Sequence, residues 1–259
     1  MRYQRLKDSL VPQLRALWSA CFGDSAQELD DFFRTAAPVC TIYAATEGET
    51  LAAAACVMPH TVCCDGAEKQ AAYLYAVATD PRFRKQGVCR ALLGHIEKEL
   101  KKKYVSCVLL VPADAALCAM YQRLGYRGVP RGWKTENLPA ACGQAEKTDL
   151  ISYAGLRETL LWDTVHVRYA KPLLELAGCA IDFYALRLGS GAGCAAVERM
   201  KDGTVLVHEL LPDSRFLPAL AAAVDAQQVT LAQSNTAMVK WLDETQPTWG
   251  EIEIGFDFG

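Results

Sequence analysis

Between Ala71 and Leu100 the hydrophobic pattern changes from alternating to helical across one basic, glycine-bearing loop, and this junction limits the fold more than any other feature. Ala71 to Ala78 alternates as a strand and breaks at Asp80-Pro81. The chain then passes through Arg82, Arg84, Lys85 and Gly87, and resumes with Val88, Leu92, Leu93, Ile96 and Leu100 at helical spacing. A continuous apolar run, Val105 to Val111, follows. Strand, helix, strand in this order is a crossover unit, so the two strands should lie parallel in one sheet.

The flanking segments extend that unit. Upstream, Arg2 to Lys7 alternates, and Asp8-Ser9 caps a helix with Leu10, Leu14, Leu17, Trp18 and Cys21 on one stripe, ending at Gly23. A second helix, Ala26 to Ala36, turns Leu29, Phe32 and Phe33 inward and the acidic Glu28, Asp30 and Asp31 outward. Cys40 to Ala45, Leu51 to Met58 and Ala71 to Ala78 then read as an antiparallel meander with turns at Glu47-Gly48-Glu49 and Asp65-Gly66. Downstream, a helix Ala115 to Leu124 ends at Gly125, and Tyr126 to Val129 returns as a strand.

Pro139 to Lys147 has linker composition, and a second series begins beyond it. It reads as a helix from Tyr153 to Ala177 with a break at Pro172, strands Ile181 to Leu188, Cys194 to Met200 and Thr204 to Leu211, a helix Arg215 to Val224 and a strand Val229 to Ala232. Gly189-Ser-Gly-Ala-Gly193 imitates a dinucleotide fingerprint, but no helix follows it, and it reads as a hairpin turn.

A strand that ends in a basic loop opening a helix is an anion cradle. The first amides of the helix lack intrahelical partners and point outward together, and the helix dipole favours negative charge there. Gly87 lets the backbone approach a phosphate closely, with Arg82, Arg84, Lys85 and Arg90 around it. Arg84, Gly87 and Cys89 stand at the defined positions of a motif Gln/Arg-x-x-Gly-x-Gly/Ala, and Leu117-Cys-Ala-Met-Tyr-Gln-Arg-Leu-Gly-Tyr126 supplies a second signature around Tyr121. On these residues, 73 to 126, the chain resembles the GNAT superfamily of N-acetyltransferases; Cys89 departs from the small glycine or alanine of the motif.

The resemblance implies an α/β fold of the α+β kind, a mixed and mostly antiparallel sheet flanked by helices. It implies acetyl-CoA as co-substrate, bound by Val77 and Thr79 at the strand end and by Arg84, Lys85, Gln86, Gly87, Val88, Cys89 and Arg90 around the pyrophosphate. It also implies Tyr121 as the acid that protonates the departing thiolate, a task suited to a phenol that stays protonated at neutral pH. No metal is expected. The general base is open among Glu28, Asp31, His60, Tyr75 and the chain-terminal carboxylate of Gly259.

The second half looks like a degenerate GNAT repeat. Leu211-Pro-Asp-Ser-Arg-Phe216 falls where the phosphate loop would recur, yet holds no glycine and one arginine. The arrangement resembles acetyltransferases of the enhanced-intracellular-survival type, in which an active GNAT domain precedes a degenerate one. Residues 1–137 are thus expected as a GNAT acetyltransferase domain and 138–259 as a degenerate GNAT-like domain.

Net charge of −3 gives no reason to bind nucleic acid, and no apolar run is long enough for a membrane span. The expected partner is a small-molecule or peptide amine, the expected compartment the cytoplasm, and the expected state a monomer or homodimer. Eleven cysteines, mostly inside apolar runs, read as small buried hydrophobes. Without a Cys-x-x-Cys or His-x-x-x-His pair, zinc is not expected, and adjacent Cys63 and Cys64 are its least implausible nucleus. A non-catalytic acyl-CoA binding or regulatory module is the alternative to an enzyme.

Overall fold

The computed structural model describes residues 1–64, 66–129, 143–225, 229–231, 237–243 and 252–255. β1 (Arg2–Arg5) leads into α1 (Val11–Phe22), which buries Leu14, Leu17 and Trp18. α2 (Ala26–Thr35) opens on a reciprocal cap: Ser25 Oγ accepts from the Glu28 amide, while the Glu28 carboxylate accepts from the Ser25 amide. β2 (Thr41–Glu47), β3 (Thr50–Cys64) and β4 (Ala67–Thr79) form the expected antiparallel meander. α3 (Val88–Lys102) crosses back and β5 (Cys107–Leu110) pairs parallel to β4, as the change of period requires. α4 (Ala115–Arg123), capped by Asp114, and β6 (Arg127–Val129) complete this series.

The second series is β7 (Gln144–Thr148), α5 (Leu150–Leu160), β8 (His166–Tyr169), α6 (Lys171–Ala177), β9 (Ile181–Leu188), β10 (Gly191–Arg199), β11 (Val205–Leu211), α7 (Leu217–Val224), β12 (Val229–Leu231) and β13 (Ala237–Trp241). The single helix expected over 153–177 is replaced by α5, β8 and α6. Pro172 opens α6 in its first turn, where a missing N–H costs nothing, and the alternating His166-Val-Arg-Tyr169 pairs with β3. Gly189-Ser190 turns β9 into β10, so the glycine-rich segment is a hairpin.

Two sheets result. The larger runs β1-β2-β3-β4-β5-β13-β6, with β8 laid along the overhang of β3; the smaller runs β12-β11-β10-β9-β7. β13 lies between β5 and β6 and pairs antiparallel with both. The pairing therefore crosses the boundary expected at residue 137. One core, holding Trp18, Phe32, Met58, Tyr73, Tyr153, Val167, Leu173 and Phe183, joins α1 and α2 to α5, α6 and the smaller sheet; a second, under α3, holds Tyr43, Leu74, Leu92, Ile96, Val108, Tyr126 and Met238. Among the described residues no helix is long and apolar enough to cross a membrane.

The smaller sheet repeats the larger in order: meander β9-β10-β11, helix α7, then β12 parallel to β11. The repeat extends to side chains. Asp80 accepts from the Arg82 amide and pairs with its guanidinium at 2.7 Å, and Asp213 does the same to Arg215, also at 2.7 Å. After Phe83 four residues, Arg84 to Gly87, precede α3, whereas α7 starts directly after Phe216. The second copy keeps the entry to the loop and lacks the loop.

Candidate active site

β4 pairs with β5 only over Ala71–Tyr73, and beyond that point the two strands separate. On its other edge β4 carries a bulge: Ala54 faces Ala78 and Cys56 faces Tyr75, so Ala76 and Val77 together oppose Ala55, and Ala76 takes φ 50°. The extra residue twists the strand end away from β5 and leaves its β5-side edge unpaired beyond Tyr73. α3 begins at the foot of this opening. Gly87 is its N-cap at φ 78°, and Lys85 also has positive φ, at 60°. A Cβ at Gly87 would meet nothing within 4 Å, so the requirement for glycine here is conformational rather than one of space.

Between β4, the start of α3 and α4 lies a cleft of about 510 Å³. Of the residues singled out from the sequence, Val77, Thr79, Arg84, Lys85, Gly87, Val88, Cys89, Arg90 and Tyr121 line it. Gln86 does not; its side-chain amide donates to the Arg82 carbonyl at 2.8 Å and braces the loop from behind. Arg84 donates from Nε to the Thr79 carbonyl at 3.0 Å and leans on the Cys21 sulfur, while Arg82 is turned away into Asp80. The Thr79 hydroxyl meets the Cys89 thiol, whose ionisation burial opposes. Lys85 and Arg90 thus carry cationic charge into the cleft beside the unpaired first amides of α3.

Tyr121 is buried, and its ring meets Tyr126 edge-on at 5.5 Å. Burial, and then the nearby Cys89, push its phenol above the ordinary value of 10, so it holds its proton throughout the neutral range. On the opposite face of β4, Tyr75 stands in an aromatic group with Trp18 at 6.1 Å and Phe32 at 5.7 Å. Its phenol is pushed up too, by burial first and then by the charges of Asp24, Cys56 and Glu28.

The acidic residues near the first helices divide. Asp30 and Asp31 pair with Arg15 and Arg34 at the surface, whereas Asp24 and Glu28 act on Tyr75. His60 is buried elsewhere, stacked on Tyr73 and edge-on to Tyr169, and lines a separate cleft of about 520 Å³. Of the base candidates, Glu28 is tied into the Ser25 cap, Tyr75 lies in the aromatic group, Asp31 pairs with Arg34, His60 lines the separate cleft, and Gly259 falls outside the described residues.

Sequence reasoning missed Cys21 and Phe22, which close the cleft from the end of α1, and Leu117 and Met120, which flank Tyr121. Leu117 was accessible: it precedes Tyr121 by one turn of α4 and so shares its face, whereas Met120, the residue just before Tyr121, does not. Phe22, half exposed just before the terminating Gly23, sits off the buried stripe of α1 and carried the only hint.

A family model for the acetyltransferase (GNAT) domain matches residues 2–129. The [ribosomal protein bS18]-alanine N-acetyltransferase of Escherichia coli K12 is 40% identical over 57 residues, which are 21% of this chain and 38% of that protein. The match thus spans well under half the length of the curated relatives. Among solved structures, a probable N-acyltransferase from Enterococcus faecalis V583 superposes with TM-score 0.71 at 15% identity, covering 93% of this chain and 72% of the other. Eis1 from Mycobacterium abscessus superposes with TM-score 0.66 at 12% identity over 94% and 74%. At such identities the likeness is one of fold, and its coverage takes in both sheets.

Proposed function

We propose, from the premise that residues 2–129 are a domain of the GNAT acetyltransferase family, that this chain transfers an acetyl group from acetyl-CoA to a primary amine of a small molecule or peptide by direct attack. One observation supports this reading most: the separated end of β4, the glycine-capped start of α3 and Tyr121 all line the same cleft.

In this reading the amides of α3 with Lys85 and Arg90 hold the pyrophosphate, and Arg84 fixes the strand end against the loop. The unpaired edge around Val77 and Thr79 receives the pantetheine arm. The amine nitrogen attacks the thioester carbon; the carbon–sulfur bond then breaks, Tyr121 gives its proton to the leaving thiolate and regains one from solvent, and the ammonium proton passes to solvent or a nearby carboxylate. The residues supply position and proton control, with no covalent enzyme intermediate.

Asp24, whose charge reaches Tyr75, favours a cationic acceptor. The second half retains the frame of a coenzyme-binding unit without its loop, and we assign it a structural role.

Calorimetric titration with acetyl-CoA tests the site. The native chain should bind one equivalent, and Gly87→Glu, which sets a carboxylate in the cradle, should lose binding while keeping its circular dichroism. Screening amines by release of free CoA then tests turnover. Binding without turnover on any amine would make the chain an acyl-CoA binding module instead.

A further inference from the structure

Cys63, Glu158 and His166 come from three separate elements and converge, although no zinc-type spacing joins them along the chain. Cys63 on β3 and His166 on β8 are direct partners across the antiparallel ladder, so their side chains leave the same face of the sheet. Glu158 reaches over from α5, and the three donor atoms all lie within 4.8 Å of one another. His166 Nε2 stands 3.2 Å from a Glu158 oxygen. Two ligands on one tetrahedral zinc, each bonded at about 2.0–2.1 Å, stand about 3.3 Å apart.

The histidine is already oriented. Its Nδ1 lies 2.8 Å from the Thr164 carbonyl, which can only accept, so Nδ1 carries a proton and Nε2 faces the cluster. A backbone carbonyl behind the ring is the usual outer support of a zinc-ligating histidine.

We propose that Cys63, Glu158 and His166 bind one zinc ion, with solvent as the fourth ligand. A thiolate, an imidazole and a carboxylate suit zinc; magnesium and calcium take oxygen donors. On binding, the Cys63 thiol releases its proton to solvent, bonds form from sulfur, nitrogen and oxygen to the ion, and no electron is transferred. Thiolate and carboxylate together neutralise the ion's two charges. The flanking cations keep counter-ions of their own. Arg168, which donates to Glu158 at 2.5 Å, is balanced by Glu68; Arg157, with Nη1 at 3.5 Å from Glu158, is balanced by Glu209. Cys63 and His166 are buried, while the Glu158 side chain is 28% exposed and opens the site to the surrounding solution. The ion would fasten α5 and β8 to the far end of β3.

The test uses the full chain, stripped with a chelator and titrated with zinc chloride against a chromophoric zinc indicator, and separately with cobalt(II). One equivalent of zinc should bind, and cobalt should give a thiolate-to-metal charge-transfer band in the near ultraviolet. Cys63→Ser should abolish the band. Cys63→Ser and His166→Asn should each weaken zinc at least about 100-fold, since even outer-shell changes cost 10–100-fold. Cys179→Ser, at an exposed thiol that is not one of the three donors, should change neither. A native chain that shows no cobalt band, or variants that bind zinc as the native chain does, would overturn the assignment. The native measurement decides even if a variant does not fold.

Discussion

Arg84 donates from Nε to the Thr79 carbonyl across 3.0 Å, so the last residue of β4 and the loop that leads into α3 are held as one unit. That bond closes the turn through Asp80 and fixes the distance between the strand edge and the start of α3. Arg84→Ala should therefore raise KM for acetyl-CoA by about 10–100-fold, the equivalent of one hydrogen bond to a charged donor. Arg84→Lys, which restores charge without the planar fork, should recover only part of this. Steady-state kinetics with varied acetyl-CoA checks both.

Tyr121→Phe separates proton transfer from binding. The variant keeps the ring that packs on Tyr126 and loses only the hydroxyl. Expected is a fall in kcat of about 10²–10⁴-fold with little change in the calorimetric affinity for acetyl-CoA. Equal losses in both would assign Tyr121 to coenzyme binding.

His60 supplies a pH signature. Burial, its largest influence, lowers its pKa from 6.5 to about 4. Between those values the unfolded chain binds a proton that the folded chain refuses, so stability should fall as pH drops from 6.5 toward 4, by an amount on the order of 3 kcal/mol. Urea titrations at several pH values would measure the slope, and His60→Phe, which keeps the ring against Tyr73, should flatten it.

Arg157 and Glu209 form a buried pair, Arg157 donating from Nε at 3.0 Å and from Nη1 to the Val167 carbonyl at 2.7 Å, while Tyr153 donates to the same carboxylate. Removing one partner strands the other, and Glu209→Gln or Arg157→Met should each destabilise by about 3–5 kcal/mol. The double variant should lose less than the sum. A double-mutant cycle in urea measures that coupling.

What could be read from the chain alone was what is locally encoded. The strand broken at Asp80-Pro81, the loop to Gly87 and the helix from Val88 announce themselves through a change of period and an aspartate–proline stop, and they carry most of the cleft. β8 was hidden because a four-residue strand between two helices has meaning only against the overhang of β3. β13 was hidden for the same reason, its place between β5 and β6 being fixed by partners over a hundred residues away. The Cys63, Glu158 and His166 cluster shows the limit most clearly: Cys63 and His166, about a hundred residues apart, form no motif until the register of β3 and β8 brings them face to face beside Glu158 of α5. The echo of Asp80-Pro-Arg-Phe83 in Asp213-Ser-Arg-Phe216 was legible in principle, but only once the shared carboxylate–arginine cap gave it meaning.

The place of β13 also bears on how the protein is made. Once Val129 has been added, every residue lining the cleft is in the chain, yet β5 and β6 still lack the strand that lies between them. Their facing edges stay open until Trp241 emerges, and open edges invite pairing with other chains. The larger sheet is thus completed only after the later strands have been made, and cutting the gene between β6 and β13 would yield a fragment with its cleft residues present and its sheet unsealed.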